Sequence, residues 1–216
     1  MSATDFPREA VAAELRRGLE QAAFDEDVPE SKLLDYLALL HRWNRAFNLS
    51  AIREPMTMVA VHLLDSLSLL PYLEGPSLLD VGSGAGLPGI PLALCRPELN
   101  VTVLDSNGKK TRFMEQVRLQ LGLPALSVVH QRIESFRAPA PFATVCSRAF
   151  ARVDAFVAAA GEQVREDGVM LAMKGRFDAA GELQDLPAGW RTEHLPLQVP
   201  GLDAQRSLVR IRRLLD

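Results

Sequence analysis

Cysteine is nearly absent: Cys95 and Cys146 are the only two in 216 residues, and they stand far apart. That excludes a disulfide framework and shows no thiolate spacing for zinc, so no metal is expected. Aromatic residues make up only 6% of the chain, which leaves few side chains for stacking on bases. Trp43, Phe47 and Phe150 are the candidates, although most aromatics belong in a core. No apolar run approaches the roughly 18–20 residues needed to cross a bilayer. The first residues, Met-Ser-Ala-Thr-Asp, lack the basic-then-apolar layout of a signal peptide, and a cytoplasmic setting is expected. An excess of positive charge is lacking too, since the net charge is −3. Its distribution is uneven. Residues 1–75 hold 12 acids and 7 Lys/Arg, whereas the remainder holds 15 acids and 17 Lys/Arg. The basic groups gather as Lys109/Lys110/Arg112, Arg148/Arg152, Lys174/Arg176 and Arg210/Arg212/Arg213, a pattern that fits either phosphate contacts or an ordinary solvated face.

What the chain does have is 48% hydrophobic and 24% charged residues, enough for a substantial core. It divides at about Gly75-Pro76, into residues 1–75 and 76–216. The first part reads as helical. One helix is predicted over 8–23 and a second from Ser31 to about Phe47, with Leu33, Leu34, Leu37 and Leu40 on its apolar face. A third runs from Pro55 or Met56 to Leu70 and stops before Pro71. Beyond the boundary, strands are expected near 77–81, 100–105, 126–130, 142–147, 168–173, 190–198 and 206–213. Helices fit near 87–95, 109–121 and 150–165. Such alternation predicts an α/β fold: a seven-stranded, mostly parallel sheet with helices on both faces and an N-terminal helical extension packed on it.

The chemistry concentrates in Leu78-Leu-Asp-Val-Gly-Ser-Gly-Ala-Gly86 and Val101-Thr-Val-Leu-Asp105. A strand runs into alternate glycines, where the backbone can turn tightly and approach a ligand closely. An acid ending the next strand can accept both hydroxyls of a ribose. The pair reads as a site for an adenosine-containing cofactor. Gly84-Ala-Gly86-Leu-Pro-Gly89 also satisfies the dinucleotide pattern, which alone is a weak signal. Two features oppose a dinucleotide: the extra Gly82-Ser83 before the pattern, and Asp80 at the strand tip, where a carboxylate would repel a pyrophosphate. The same carboxylate suits a cofactor carrying an ammonium and a sulfonium, as S-adenosylmethionine does.

The chain resembles the bacterial RsmG family, also called glucose-inhibited division protein B. The matching stretches are Asn48-Leu-Ser50, His62-Leu-Leu-Asp-Ser66, Asp80-Val-Gly-Ser-Gly-Ala-Gly-Leu-Pro-Gly-Ile-Pro91, Leu104-Asp-Ser106, Lys109-Lys-x-Arg-Phe113, Arg132-Ile-Glu134, Ser147-Arg-Ala-Phe150 and Met173-Lys-Gly175. They run from about residue 35 to the C-terminus; the first 30 residues carry none of them. The resemblance implies a Rossmann-like class I methyltransferase that uses S-adenosylmethionine to methylate N7 of a guanine in small-subunit (16S) ribosomal RNA. It places Gly82, Ser83, Gly84, Gly86 and Leu87 around the methionine part of the cofactor, with Asp80 near its amino group. Asp105 takes the ribose hydroxyls, Ser106 lies beside the adenosine, and Ile133 and Glu134 sit by the adenine. Arg148 is placed beside the cofactor, on its carboxylate. The partner implied is 16S RNA or the 30S subunit, and a monomer is the default.

From the residues themselves, Arg148 follows an apolar strand and should emerge at the active edge. It could hold a carboxylate or an RNA phosphate there, or form a structural ion pair. Lys174 at the next strand tip could bind phosphate or the guanine edge, or simply face solvent. His62, Asp65 and Ser66 fall at i, i+3 and i+4 on one face of an otherwise apolar helix. That polar stripe either caps the cofactor pocket or forms a helix–loop network. Asn48 either caps the second helix or reaches the target base. Guanine N7 has a free lone pair and no proton, so no general base is expected; alignment is what the protein must supply. A small-molecule methyltransferase and a non-enzymatic cofactor-binding or assembly protein are the competing readings.

Overall fold

The computed structural model describes residues 6–22, 28–148 and 150–214. The first five residues, part of the 1–30 stretch without motifs, lie outside them. Helix α1 (Arg8–Ala22) buries Val11 and Leu15, and α2 (Glu30–Phe47) buries Leu33, Leu37 and Leu40 at the helical spacing expected. Residue 23, expected to end the first helix, lies outside the described residues. Strands β1 (Ser77–Val81), β2 (Asn100–Asp105), β3 (Leu126–His130), β4 (Phe142–Ser147), β5 (Val164–Lys174), β6 (Trp190–Leu197) and β7 (Arg206–Arg213) form one sheet in the order β3-β2-β1-β4-β5-β7-β6. The first five are parallel, and β7 is antiparallel to both β5 and β6.

Period-two alternation sorts the strand residues onto two faces. Leu78, Val103, Cys146, Val169 and Leu171 join a core shared with α1, α2 and the segment from Met58 to Leu70. Leu79, Leu104, Val145, Met170 and Ile211 face the other way, under Phe156 and Val157. The strand order reverses between β1 and β4. A crevice at the carboxyl ends of the strands is the ordinary place for a ligand in such a sheet.

Four expectations about local structure change. The third helix is composite: α-helical at α3 (Pro55–Met58), π-helical at Val59–Leu64, and α-helical again at α4 (Asp65–Leu67). Pro71 then sits inside a short 3₁₀ turn, Leu70–Tyr72. Helix α5 (Gly89–Cys95) starts two residues late because 82–88 are used by the glycine loop, whose Gly86 and Leu87 N–H groups both bond Ser83 O. Helix α6 (Gly108–Leu121) is as expected, but α7 (Val153–Ala160) is shorter, since Lys174 takes the carbonyls of Phe150 and Ala151. Strand β5 begins early, at Val164; the charged run Arg165-Glu166-Asp167 hides its start from any apolar pattern. A short helix, α8 (Ala179–Glu182), had no sequence signal.

Because Leu37 is fully buried in the core shared by α2 and the sheet, Leu37→Ala should cost about 2–5 kcal/mol. Urea unfolding followed by fluorescence, from Trp43 in α2 and Trp190 in β6, should shift with circular dichroism as one transition. An early, separate helical transition would contradict a common core.

Candidate functional site

The loop after β1 alternates through left-handed backbone at Gly82, Gly84 and Gly86 (φ 71°, 62° and 86°), which only glycine adopts without strain. Gly82 and Ser83 N–H bond Leu104 O at 2.8 and 3.0 Å, folding the loop back onto the tip of β2. The Ser83 hydroxyl is turned inward. It donates to Asp80 O at 2.8 Å and accepts from Leu104 N at 3.1 Å, so this predicted cofactor residue works within the turn. Leu87 likewise packs into the core. Gly89 is a close approach: a Cβ there would lie 2.7 Å from Val103 Cγ1 and 2.9 Å from Asp80 Oδ2.

Asp80 is completely buried beneath this loop. Its Oδ2 accepts from Gly89 N at 2.8 Å, while its Oδ1 has no hydrogen-bond partner among the described residues. Burial pushes its pKa up to about 6, against the lowering influence of the Gly89 N–H, Ser83 and Arg148. A buried acceptor of this kind calls for a donor. Asp105, also buried, accepts from Gly84 N through Oδ2 and from Asn107 N through Oδ1, each at 2.8 Å. Each oxygen keeps a second lone pair. Lys110 Nζ stands 3.8 Å from it.

Beside Asp105 opens a cleft of about 190 Å³, walled by Gly82, Asp105, Ser106, Ile133, Glu134 and Phe150. Five of these six are predicted cofactor residues, brought together from three strand tips. Ile133 and Glu134 form a 3₁₀ turn after β3, with Ile133 buried and Glu134 exposed. Phe150, a stacking candidate from sequence, packs on Phe156 with ring centroids 5.2 Å apart and closes one side of this cleft.

A second cleft, of about 300 Å³, lies between the π-helical segment and the ends of β5 and β7. Asp65 is buried here and accepts from Arg148 Nη1 at 3.1 Å and Arg206 Nε at 3.0 Å. Arg148 Nη1 also bonds Val61 O at 3.1 Å. The π geometry makes that carbonyl available. An α-helix would send the Asp65 N–H to Val61 O; here it goes to Ala60 O and His62 O.

The three residues of the expected polar stripe therefore take separate partners. His62 Nε2 lies 2.9 Å from Ser50 Oγ, and its buried Nδ1 has no partner among the described residues. Burial, with the field of Arg148, pushes its pKa down to about 4, so the ring is neutral near pH 7. Asp65 serves the two arginines, and Ser66 Oγ bonds back to His62 O at 2.6 Å. This is the helix–loop network, not a continuous cap over the pocket. Lys174 is likewise engaged: Nζ meets Phe150 O at 3.0 Å, Ala151 O at 2.5 Å and Glu182 Oε2 at 2.6 Å. Two carbonyls and this ion pair engage the ammonium within the chain. Asn48 ends α2 in left-handed backbone, φ 51°, and accepts from Arg53 Nη2.

The basic clusters change character as well. Arg152 bonds Asp154 and Asp185, Arg210 bonds Glu193, Arg212 bonds Glu74, and Arg213 lies 4.5 Å over Trp190. Lys109, Arg112, Arg132 and Arg176 remain exposed. Trp43 packs on Phe113 at 5.6 Å, as a core aromatic does, and its neighbour Phe47 is exposed. Sequence reasoning missed Arg206 and Tyr36. The Tyr36 hydroxyl, fully buried on α2, donates to Ala85 O at 2.8 Å and ties the helical extension to the glycine loop. Among the described residues, no three His, Cys, Asp or Glu gather as metal ligands.

The chain is similar to known proteins in sequence and in fold. Residues 29–209 match the family described as rRNA small subunit methyltransferase G. The chain is 58% identical to a ribosomal RNA small subunit methyltransferase G of Alkalilimnicola ehrlichii, over 82% of this chain and 80% of that protein. It is 50% identical to the protein of the same name in Chromobacterium violaceum, over 92% and 96%. Among solved structures, a coclaurine N-methyltransferase bound to N-methylheliamine and SAH is similar with a TM-score of 0.55, at 12% identity over 88% of this chain and 74% of that one. A precorrin-6y C5,15-methyltransferase from Geobacter metallireducens gives 0.53, at 14% identity over 78% and 92%. At such identities the likeness concerns the fold alone, and it is the methyltransferase sheet.

The buried proton on Asp80 has a measurable consequence. An unfolded aspartate releases its proton near pH 4, whereas the folded one holds it to about 6. The folded state thus binds more protons at this site across that window, and the Asp80 contribution to stability should fall by about 3 kcal/mol as pH rises through it. The neutral, buried His62 acts in the opposite direction over the same window, so denaturant unfolding from pH 4.5 to 7 should show the Asp80 share as the difference in slope between the ligand-free protein and Asp80→Asn. An unchanged slope in the variant would place the effect elsewhere.

Proposed function

The chain belongs to the rRNA small subunit methyltransferase G family, and from that premise we propose that it transfers a methyl group from S-adenosylmethionine to N7 of a guanine in 16S ribosomal RNA. The observation that carries this reading is the pair of buried carboxylates around the glycine loop: Asp105 on the cleft wall, and Asp80 with an oxygen awaiting a donor. Two acids there would repel a pyrophosphate and attract a cofactor that is cationic at its methionine end. The cleft of Asp105, Ser106, Ile133 and Glu134 fits an adenosine: a carboxylate for the ribose hydroxyls and a buried Ile for one face of the base. Gly82, Gly84 and Gly86 leave the approach over β1 open, with Leu87 and Ser83 holding the turn from behind.

S-adenosylmethionine supplies an electrophilic methyl carbon on a sulfonium. The chain supplies alignment. Guanine N7 carries no proton, so no residue has to remove one, and a neutral His62 in its buried place is consistent with a structural role. The reaction moves positive charge onto the base, and a cation against N7 would oppose it. Arg148 is held at the β4 tip by Asp65 and Val61 O, where it would meet the carboxylate of the cofactor. Lys174 shapes the 150–151 turn beside the adenosine cleft. Asn48 ends α2 and accepts from Arg53, while Asn44 orders the loop that carries Ser50.

The same proposal takes residues 1–75 as a helical extension packed on a methyltransferase domain of residues 76–216. The shared core of α1, α2 and the sheet supports this. The substrate is 16S RNA, free or within the 30S subunit, met by a monomer in the cytoplasm. No helix among the described residues is long and apolar enough to cross a membrane.

Tritiated methyl transfer to 16S RNA and to 30S subunits from a strain lacking this gene tests the reading. Labelled 7-methylguanosine in the digest, absent when already methylated subunits are supplied, is the expected result. Cofactor binding without transfer to either substrate would overturn the enzymatic reading. Arg148→Ala should lower turnover about 100-fold through misplacement of the cofactor; unchanged turnover and cofactor affinity would remove Arg148 from the site.

A further inference from the structure

The antiparallel course of β7 has a consequence for the active edge. Parallel strands β1, β4 and β5 bring their carboxyl ends to that edge, but β7 brings its amino end. The register pairs Lys174 with Ser207. Arg206, the first residue of β7, therefore stands beside the tip of β5, far in sequence from every motif of the cofactor site. Its Nε is fixed by Asp65 and its Nη1 by Gln205 O at 3.1 Å. It lines the 300 Å³ cleft with Arg148 and Lys174; Lys174 is paired with Glu182, so two guanidiniums face the single carboxylate of Asp65. Asp65 holds both guanidiniums in place and neutralises only part of their charge.

The geometry points to this cleft as an anion subsite, with Arg206 as the residue that engages a backbone phosphodiester of the RNA beside the target nucleotide. The inference rests on the proposed RNA substrate. Position separates the phosphodiester from the cofactor's own carboxylate. The adenosine cleft is built on the tips of β2 and β3, whereas Arg206 lies beside β5. In the order β2-β1-β4-β5-β7, four strand spacings separate them, about 19 Å. A cofactor lying over β1 reaches Arg148 at the β4 tip first, and Arg206 lies beyond it on the side where a substrate strand must pass. A guanidinium fixed at Nε and Nη1 still presents its Nη2 donors, charge-assisted, to a phosphate.

Two variants test this. Arg206→Gln removes the cation and leaves Asp65 paired with Arg148. Gly175→Asp keeps every ion pair and adds a carboxylate at the mouth. A Cβ at Gly175 meets only Arg206 Nη1 and Gln205 O, both at 4.0 Å, so the fold has room for it. Filter binding to 30S subunits and 16S RNA across a salt series is the readout, with S-adenosylmethionine affinity and melting temperature measured alongside. Both variants should weaken RNA binding about 5- to 20-fold. Each should reduce the magnitude of the log K against log salt slope by about 0.7–0.9, the loss of one phosphate contact. Cofactor affinity should stay within about twofold of the starting protein. A slope unchanged in both variants would make Arg206 a support for Asp65 alone and overturn the subsite. A loss of cofactor affinity instead would assign the cleft to the cofactor carboxylate. Binding is read independently of transfer, so an unmodified protein that binds RNA in a salt-dependent way without methylating it defeats the proposed reaction and not the subsite. One that fails to bind RNA at all defeats both.

Discussion

A carboxylate buried between two arginines holds the active edge of this protein together. Asp65 comes from the helical segment ahead of the sheet, Arg148 from the tip of β4, and Arg206 from the start of β7. Removing one member of a buried ion pair strands the other charge, which costs several kcal/mol. Three distant pieces of chain therefore cannot part independently. The π-helical turn belongs to the same constraint. Its displaced hydrogen bonds release Val61 O, and Arg148 takes it, so an irregular helix and a fixed guanidinium each account for the other. π turns recur at functional sites for this reason: they expose a polar backbone atom that an α-helix would consume.

A second tie acts on the loop itself. Glycine at alternate positions makes the loop able to adopt left-handed backbone, but the same freedom leaves it costly to order. Five hydrogen bonds order it from outside: Gly84 N to Asp105, Gly89 N to Asp80, Gly82 N and Ser83 N to Leu104 O, and Tyr36 to Ala85 O. The last of these originates in α2. The helical extension is thus part of the cofactor site's support, and the shared core beneath α1 and α2 is what keeps the tyrosine in register.

Much of the site was legible because its chemistry is local in sequence. The Asp80–Gly89 loop, the acid ending β2 and the Ile133-Glu134 pair each follow a strand by a few residues, so predicting the strand places the residue. Apolar segments alternating with helices located all seven strands, and fell short only at the Arg165-Glu166-Asp167 run of β5, where exposed charges conceal the pairing. Side-chain direction was harder to read. Ser83 and Lys174 sit where the sequence suggests ligand contacts, yet their polar atoms are taken by Asp80 O and Leu104 N in one case, and by Phe150 O, Ala151 O and Glu182 in the other. The basic clusters misled similarly, because the acids that neutralise Arg210 and Arg212 arrive from Glu193 and Glu74, in other parts of the chain.

What the sequence by itself determined is the α/β sheet, the glycine loop, the two carboxylates and the family, since each rests on short-range patterns of apolar spacing, backbone freedom and charge. Tertiary structure alone decided the π turn, the Tyr36 tether and the union of Arg148, Asp65 and Arg206. Those depend on which strand lies beside which and in what direction. An antiparallel β7 brings its first residue to an edge where parallel strands bring their last, and no local pattern around Arg206 records that reversal.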